Sequence, residues 1–299
     1  MTVENNAHEQ ADKSRKNAAE LQLLETGLAF GESPRWHEGR LWFSNWDAQE
    51  IIAVDPQGAS EVVVRVPFPS FPFSIDWLPD GRLIIVSTSD QPLLRREQEG
   101  TLVPHADLNG LAKVWNEIVV DGRGNIYVNG GDVDLSAPGI IALIKPDGST
   151  RLVADGIAFP NGMVVTPDNS TLIISESFGQ KLTAFDIADD GTLLNRRVWA
   201  DLGDGYPDGI CLDTEGAIWY SDVPNKRCVR VREGGEIVQR VELDQGCFAC
   251  MLGGADRTTL FLLTAEWRGF DKMAGSRTGQ LLSIQVSVPG AEYKRDRLN

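Results

Sequence analysis

Pro79-Asp-Gly-Arg running into Leu83-Ile-Ile-Val86 is a polar turn signal followed by a short, strongly apolar strand, and the chain repeats this signature. It returns as His37-Glu-Gly-Arg before Leu41-Trp-Phe-Ser44, Asp121-Gly-Arg-Gly-Asn before Ile126-Tyr-Val-Asn129, and Pro167-Asp-Asn-Ser-Thr before Leu172-Ile-Ile-Ser175. Two further copies are Asp213-Thr-Glu-Gly-Ala before Ile218-Trp-Tyr-Ser221 and Ala255-Asp-Arg-Thr-Thr before Leu260-Phe-Leu-Leu263. The six strand starts are 42, 43, 46, 46 and 42 residues apart. A period in the forties with a turn inside each unit is the length of a four-stranded propeller blade. Second turn signals, Asp55-Pro-Gln-Gly58, Lys145-Pro-Asp-Gly148, Asp189-Asp-Gly191 and Glu233-Gly-Gly235, fall where the outer hairpins of such blades would turn. The expected fold is therefore all-β, a six-bladed β-propeller. A two-domain α/β arrangement is the competitor at this length, and the amphipathic helices it needs are absent.

The repeat divides the 299 residues into an N-terminal arm (1–24), the propeller (25–290) and a C-terminal tail (291–299). The first twenty or so residues are polar and lack apolar periodicity, with a short helix expected over 17–24. Lys and Arg number 28 against 43 Asp and Glu, a net charge of −15, which is the wrong balance for a phosphate-backbone partner. No apolar run is long enough to span a membrane, and charged residues stand where a secretory signal would need its apolar stretch, so cytoplasmic residence is expected. The sequence does not set the oligomeric state. Cys211, Cys228, Cys247 and Cys250 are too few for a disulfide framework in a chain of this length. Cys247 and Cys250 have CxxC spacing, but nothing nearby completes a zinc site, so the thiols read as structural.

One position can be aligned through all six repeats: Glu32, Ser74, Asn116, Asn161, Asp208 and Ala249, at intervals of 42, 42, 45, 47 and 41. Residues in one phase of a closed ring lie at one height about its axis, so Glu32, Asn116, Asn161 and Asp208 should converge on the channel. Two carboxylates and two amides gathered away from water repel or go unsatisfied unless something positive lies between them. A divalent cation answers this. The donors are all oxygens, which favours Ca²⁺, then Mg²⁺ or Mn²⁺, and Ca²⁺ takes about 6 to 8 ligands, leaving positions for water or substrate. Read singly, each Asn-Gly or Asp-Gly pair is a turn signal; the shared phase is what argues for a site.

The segments 31–36 (Gly-Glu-Ser-Pro-Arg-Trp), 159–169 (Phe-Pro-Asn-Gly-Met-Val-Val-Thr-Pro-Asp-Asn), 207–213 (Pro-Asp-Gly-Ile-Cys-Leu-Asp) and 248–254 (Phe-Ala-Cys-Met-Leu-Gly-Gly) resemble the regucalcin/gluconolactonase/luciferin-regenerating-enzyme family of six-bladed propellers. The resemblance runs through nearly the whole chain after the arm. It implies one divalent metal, usually calcium or zinc, held at the positions of Glu32, Asn161 and Asp208. Asn116 corresponds to a further polar position, a metal ligand in the related diisopropylfluorophosphatase and close to substrate in sugar lactonases. It also implies hydrolysis of a small-molecule lactone or similar ester, with the metal polarising the carbonyl and Asp208 as base or water-orienting group. Other metal chemistry on the same scaffold, phosphotriester hydrolysis or a non-hydrolytic bond reaction, is the alternative. A non-catalytic WD-type binding propeller is disfavoured because Trp46-Asp47 is the only Trp-Asp dipeptide. His8, His37 and His105 lie outside the ring phase, and no Gly-x-Ser-x-Gly elbow is present.

One departure from the family concerns the substrate. Sugar lactonases often carry Arg two residues before the Asn matching Asn116, where this chain has Val114. Trp115, Phe71, Phe73, Phe159, Tyr206 and Phe248 suggest a more apolar mouth, and an aromatic or less hydroxylated lactone competes with an aldonolactone. Asn129, Asp132, Glu176 and Asp222 follow the apolar strands and are further candidates to line the pocket.

Overall fold

In a computed structural model, which describes residues 20–67, 71–90, 92–269 and 272–292, the chain forms six four-stranded antiparallel sheets. Blade 1 runs from the channel outward through β2 (Gly31–His37), β3 (Arg40–Asn45), β4 (Glu50–Val54) and β5 (Ser60–Arg65). Blade 2 is β6 (Phe73–Trp77) to β9 (Leu102–Ala106), and blade 3 is β10 (Val114–Val120), β11 (Ile126–Gly131), β12 (Gly139–Ile144) and β13 (Thr150–Ile157). Blade 4 is β14 (Pro160–Val165), β15 (Thr171–Glu176), β16 (Lys181–Ile187) and β17 (Leu193–Asp201); blade 5 is β18 (Pro207–Leu212) to β21 (Ile237–Glu242). Blade 6 takes β22 (Gly246–Gly253), β23 (Thr259–Ala265) and β24 (Gly279–Gln285) from the end of the chain, and its outer strand is β1 (Gln22–Leu28). The inner strands β2, β6, β10, β14, β18 and β22 touch in that order and close on β2.

The pairing of β1 with β24, Gln22 opposite Ser283 through Leu28 opposite Gly279, fastens the ring and removes two open sheet edges. It also corrects the helix expected over 17–24: residues 17–19 lie outside the described residues, and 22–24 are strand. The described residues include a 3-10 turn, Trp46–Ala48, and among them no helix is long and apolar enough to cross a membrane.

Each apolar tetrad that defined the repeat is the second strand of a blade. Its unbroken hydrophobicity follows from burial on both faces, since successive side chains enter different cores. Leu41 and Phe43 pack toward blade 6, Leu83 and Ile85 toward blade 1, and Ile84 and Val86 toward blade 3. Six clusters of buried apolar side chains result, one between each pair of neighbouring blades. All four cysteines are buried between blades 5 and 6, with Cys211 Sγ 3.9 Å from Cys250 Sγ.

Two of the repeated turn signals, in blades 3 and 5, share one chemistry. In blade 3, Asp121 Oδ1 accepts from the amides of Arg123 (2.8 Å) and Asn125 (2.9 Å); in blade 5, Asp213 Oδ1 accepts from Glu215 (2.9 Å) and Ala217 (3.0 Å). The turns then pass through a glycine at positive φ, Gly124 at 84° and Gly216 at 77°.

Candidate metal centre and active site

The aligned ring residues lie near the start of the inner strands. In five of the six strands the pairing register slips around that position: Glu32/Arg35, Trp115/Ile118, Pro160/Met163, Pro207/Ile210 and Cys247/Ala249. Such bulges leave a residue outside the ladder and re-aim its side chain. Blade 2, whose ring residue is Ser74, keeps a regular register, and its Oγ donates to Asn116 O at 2.6 Å instead. Glu32, Asn116, Asn161 and Asp208 all line one cavity of about 500 Å³ at this end of the channel.

The glycines after Asn161 and Asp208 are extended strand residues rather than turn residues. They are required because adjacent inner strands approach closely. A Cβ on Gly162 would stand 2.7 Å from Asp208 O and Ile210 N, and one on Gly209 would stand 2.8 Å from Ala249 Cα and Cβ.

Polar residues of the second strands stitch this ring from behind. Asn129 Nδ2 donates to Asn161 O at 2.6 Å, while its Oδ1 accepts from Glu117 N at 3.2 Å. Ser175 Oγ donates to Asp208 O (2.7 Å) and Gly162 O (3.2 Å), and Ser221 Oγ donates to Phe248 O (2.7 Å) and Gly209 O (2.9 Å). Ser177 Oγ donates to Pro207 O at 2.7 Å. Asn129, Ser175 and Ser221 close their tetrads in the repeat itself, so their spacing was open to reading as a second polar ring.

Glu32 is 6% exposed and accepts from Ser33 N at 3.2 Å. Burial, then the Asp208 charge and the Glu117 charge, push its carboxyl well above the ordinary 4.5. Asp208, half-buried at the cavity floor, is raised well above 3.8 by burial and by Glu117, against a hydrogen bond from Asn161. Glu117 gave no signal in the repeat phase. Its Oε1 is held by Arg35 Nη2 and Ser33 Oγ, each at 3.0 Å, and by Ile118 N at 2.9 Å. Arg35 is thereby committed, since its Nη2 also donates to Ile118 O at 2.6 Å.

The floor thus gathers negative charge in a poorly hydrated place, with oxygen atoms as the available donors. Among the described residues no group of three His, Cys, Asp or Glu side chains forms a metal cluster. A cation here would depend on the amide oxygens of Asn161 and Asn116 beside the carboxylates of Glu32 and Asp208. Asn116 Nδ2 lies 3.2 Å from Pro160 O and 3.5 Å from Asn161 Oδ1, so the two amides are neighbours. This donor set fits a hard divalent cation.

Several residues expected at the pocket are elsewhere. Trp115 and Phe73 directly precede ring residues, so strand alternation sends them into the inter-blade cores, at 3% and 0% exposure. Asn129 is fully buried as a brace. The Glu176 carboxylate, 1% exposed, is spent on Ala158 N (2.9 Å), Thr183 Oγ1 (2.6 Å) and Arg196 Nη2 (3.0 Å), and Asp222 on Arg227 and Asn225. Asp132 does line the cavity, at the rim, where it pairs with Lys113 Nζ at 2.8 Å. Val114, Phe71, Phe159, Tyr206 and Phe248 line it as well, together with Phe30, Trp46, Phe178 and Trp267, which the repeat did not single out. His37 stacks on Trp77 at 4.1 Å near the other end of the channel, His105 lies in the outer strand of blade 2 beside Arg95, and His8 lies outside the described residues.

Comparison with known proteins agrees with this architecture. The chain is 23% identical over 289 residues to pentonolactonase XacC of Haloferax volcanii, covering 92% of this chain and 97% of that one. Among solved structures, a luciferin-regenerating enzyme superposes with a TM-score of 0.79 at 16% identity, covering 93% of this chain and all of the other. A calcium-binding protein, regucalcin from Agrobacterium tumefaciens, gives 0.77 at 20% identity, covering 92% and 96%. These two likenesses show the propeller fold. The profile of the SMP-30/Gluconolactonase/LRE-like region matches residues 30–266, and the chain belongs to that family.

Proposed function

We propose that the protein is a divalent-metal-dependent hydrolase of a lactone, with Ca²⁺ as the first candidate ion and Zn²⁺, Mn²⁺ or Mg²⁺ as the others. The observation that carries this reading is the convergence of Glu32, Asn116, Asn161 and Asp208 on the floor of one substrate-sized cavity. The likeness to a pentonolactonase supports the ester class, and the likeness to regucalcin, a calcium-binding protein, supports the ion.

Glu32, Asn161, Asp208 and Asn116 would hold the ion, which when bound would polarise the lactone carbonyl as a Lewis acid. Asp208 would then accept a proton from the attacking water, being the less buried of the two floor carboxylates. Asn116, braced to Pro160 O, would fix the substrate's ester group against the floor. A substrate seated against the apolar walls would displace water from the floor, which would strengthen each electrostatic contact there.

The test is a base-consumption assay on a lactone panel, with wild type, Asp208→Asn and Asp208→Ala. The proposal expects hydrolysis by wild type and a loss of at least about a hundredfold in both variants. Near wild-type turnover in both would place the base elsewhere.

A further inference from the structure

The cavity walls differ sharply from its floor. Phe30 meets Trp46 edge-on at 5.0 Å and Phe248 at 4.6 Å, and lies near-parallel to Phe71 at 5.8 Å. Phe248 in turn meets Trp267 at 5.9 Å, so blades 1, 2 and 6 present one continuous aromatic wall. Across the ring, blade 4 presents the stacked pair Phe159 and Phe178, 4.5 Å apart. The indole N–H of Trp46 is already given to Phe73 O, which leaves only its apolar ring for a ligand.

The mouth continues this character. Phe71, Val133, Leu135, Phe178, Tyr206 and Trp267 all line the cavity and are all exposed, from 37% to 69%. A monomer does not ordinarily gather exposed large apolar side chains at one opening, and such a rim marks a binding surface.

Polar side-chain atoms on the walls are few, and most, the Tyr206 hydroxyl at the mouth apart, are engaged within the protein. Ser177 Oγ donates to Pro207 O, Asp132 is paired with Lys113, and Asp134 Oδ1 accepts from Ser136 N and Oγ. The charged residues lining the cavity, Glu32, Asp132, Asp134 and Asp208, are all acidic, with no Lys or Arg among them.

From this we infer that the substrate is a neutral, aryl-bearing lactone or ester, excluding polyhydroxylated sugar lactones and anionic lactones. The inference rests on the hydrolytic reading above and names its substrate class. A sugar lactone would give up its water contacts and find few uncommitted donors or acceptors on these walls, at a cost of roughly tenfold in binding for each hydroxyl left stranded. An anionic lactone would pass the Asp132 and Asp134 carboxylates and find no Lys or Arg among the lining residues to receive its charge. A flat aryl group gains face and edge contacts with both walls while its ester reaches the floor.

The experiment compares 3,4-dihydrocoumarin with D-glucono-1,5-lactone on the full-length, calcium-loaded protein. Each kcat/KM is divided by the uncatalysed rate of the same compound, to remove intrinsic reactivity. Titration calorimetry runs alongside with two non-hydrolysable shapes, 2-tetralone and 1,5-anhydroglucitol. We expect at least about a tenfold preference for the aryl compound in both measurements. Trp267→Ser should reduce dihydrocoumarin kcat/KM about two- to tenfold. A corrected preference for gluconolactone would overturn the inference and leave the lactonase reading standing. Failure to hydrolyse either lactone, with tetralone bound in preference to anhydroglucitol, would remove the hydrolytic reading and leave the apolar ligand class in place. If tetralone bound no tighter than anhydroglucitol, the inference would be wrong whatever the hydrolysis data showed.

Discussion

Gly162→Ala places a methyl group where blades 4 and 5 meet at the ring. The added carbon would stand 2.7 Å from Asp208 O and Ile210 N and 2.9 Å from Gly209 Cα, and ordinary contact begins at 3.4 Å. Every one of these neighbours is backbone, so no side chain can rotate aside; β14 and β18 must separate by about 0.7 Å. Overpacking of this kind costs about 1–3 kcal/mol. The larger consequence is functional, because Asn161 rides on one displaced strand and Asp208 on the other. A misplacement near 1 Å costs on the order of a hundredfold in rate. Gly148→Ala is the matched control: it sits in an outer hairpin at a φ of 82° with no atom within 4 Å, so it introduces backbone strain without touching the ring. Thermal unfolding and turnover would be measured for both variants. The expectation is comparable destabilisation, with a collapse of turnover in Gly162→Ala alone. A folded Gly162→Ala enzyme within twofold of wild-type turnover would mean that the spacing of the inner strands does not set the site.

Three further outcomes follow from the same geometry. Glu32→Gln removes a buried charge that repels Asp208, so the chelated variant should melt at a higher temperature than chelated wild type while losing most of the stabilisation by Ca²⁺; a lower melting temperature in both conditions would contradict the electrostatic account. The folded-state pKa values of Glu32 and Asp208 lie above their ordinary 4.5 and 3.8, so the folded chelated protein binds protons that the unfolded chain has released. Their contribution to stability must therefore fall as pH rises above about 4.5, and the melting-temperature gap between chelated wild type and chelated Glu32→Gln should widen from pH 5 to pH 7; a gap independent of pH would refute this. Ser175→Ala strips the donor from Asp208 O and Gly162 O and should cost about 1–3 kcal/mol by denaturation, and an effect below about 0.3 kcal/mol would show that the brace carries no weight.

Much of this was legible in the sequence, for physical reasons. A repeat that buries both faces of its second strand must write an apolar tetrad at each turn of the ring, and the constant period then carries any one phase, including Glu32 and Asp208, to a common height. The closing strand was not legible: Gln22–Leu28 holds no β-branched core run, and its Leu, Gln and Glu are good helix formers, so pairing with β24 overrides local preference. Trp115 and Phe73 were drawn toward the mouth by nearness in sequence to ring residues, whereas alternation along a strand turns neighbours in opposite directions. Glu117 stayed hidden because its partners, Ser33 and Arg35, come from two blades away. The wall residues Trp46, Phe178 and Trp267 sit in connections between strands, which no repeat phase aligns.

Lactone hydrolysis by this propeller is proposed to depend on one divalent cation held by Glu32, Asn116, Asn161 and Asp208. The most direct test of this dependence is a titration of chelated, metal-free protein with Ca²⁺, following lactone hydrolysis and bound metal in the same samples. Activity should rise from the uncatalysed baseline and saturate at one equivalent in wild type, with no saturation at stoichiometric Ca²⁺ in Glu32→Gln. Full hydrolytic activity in wild-type protein shown by elemental analysis to hold no metal would contradict the dependence.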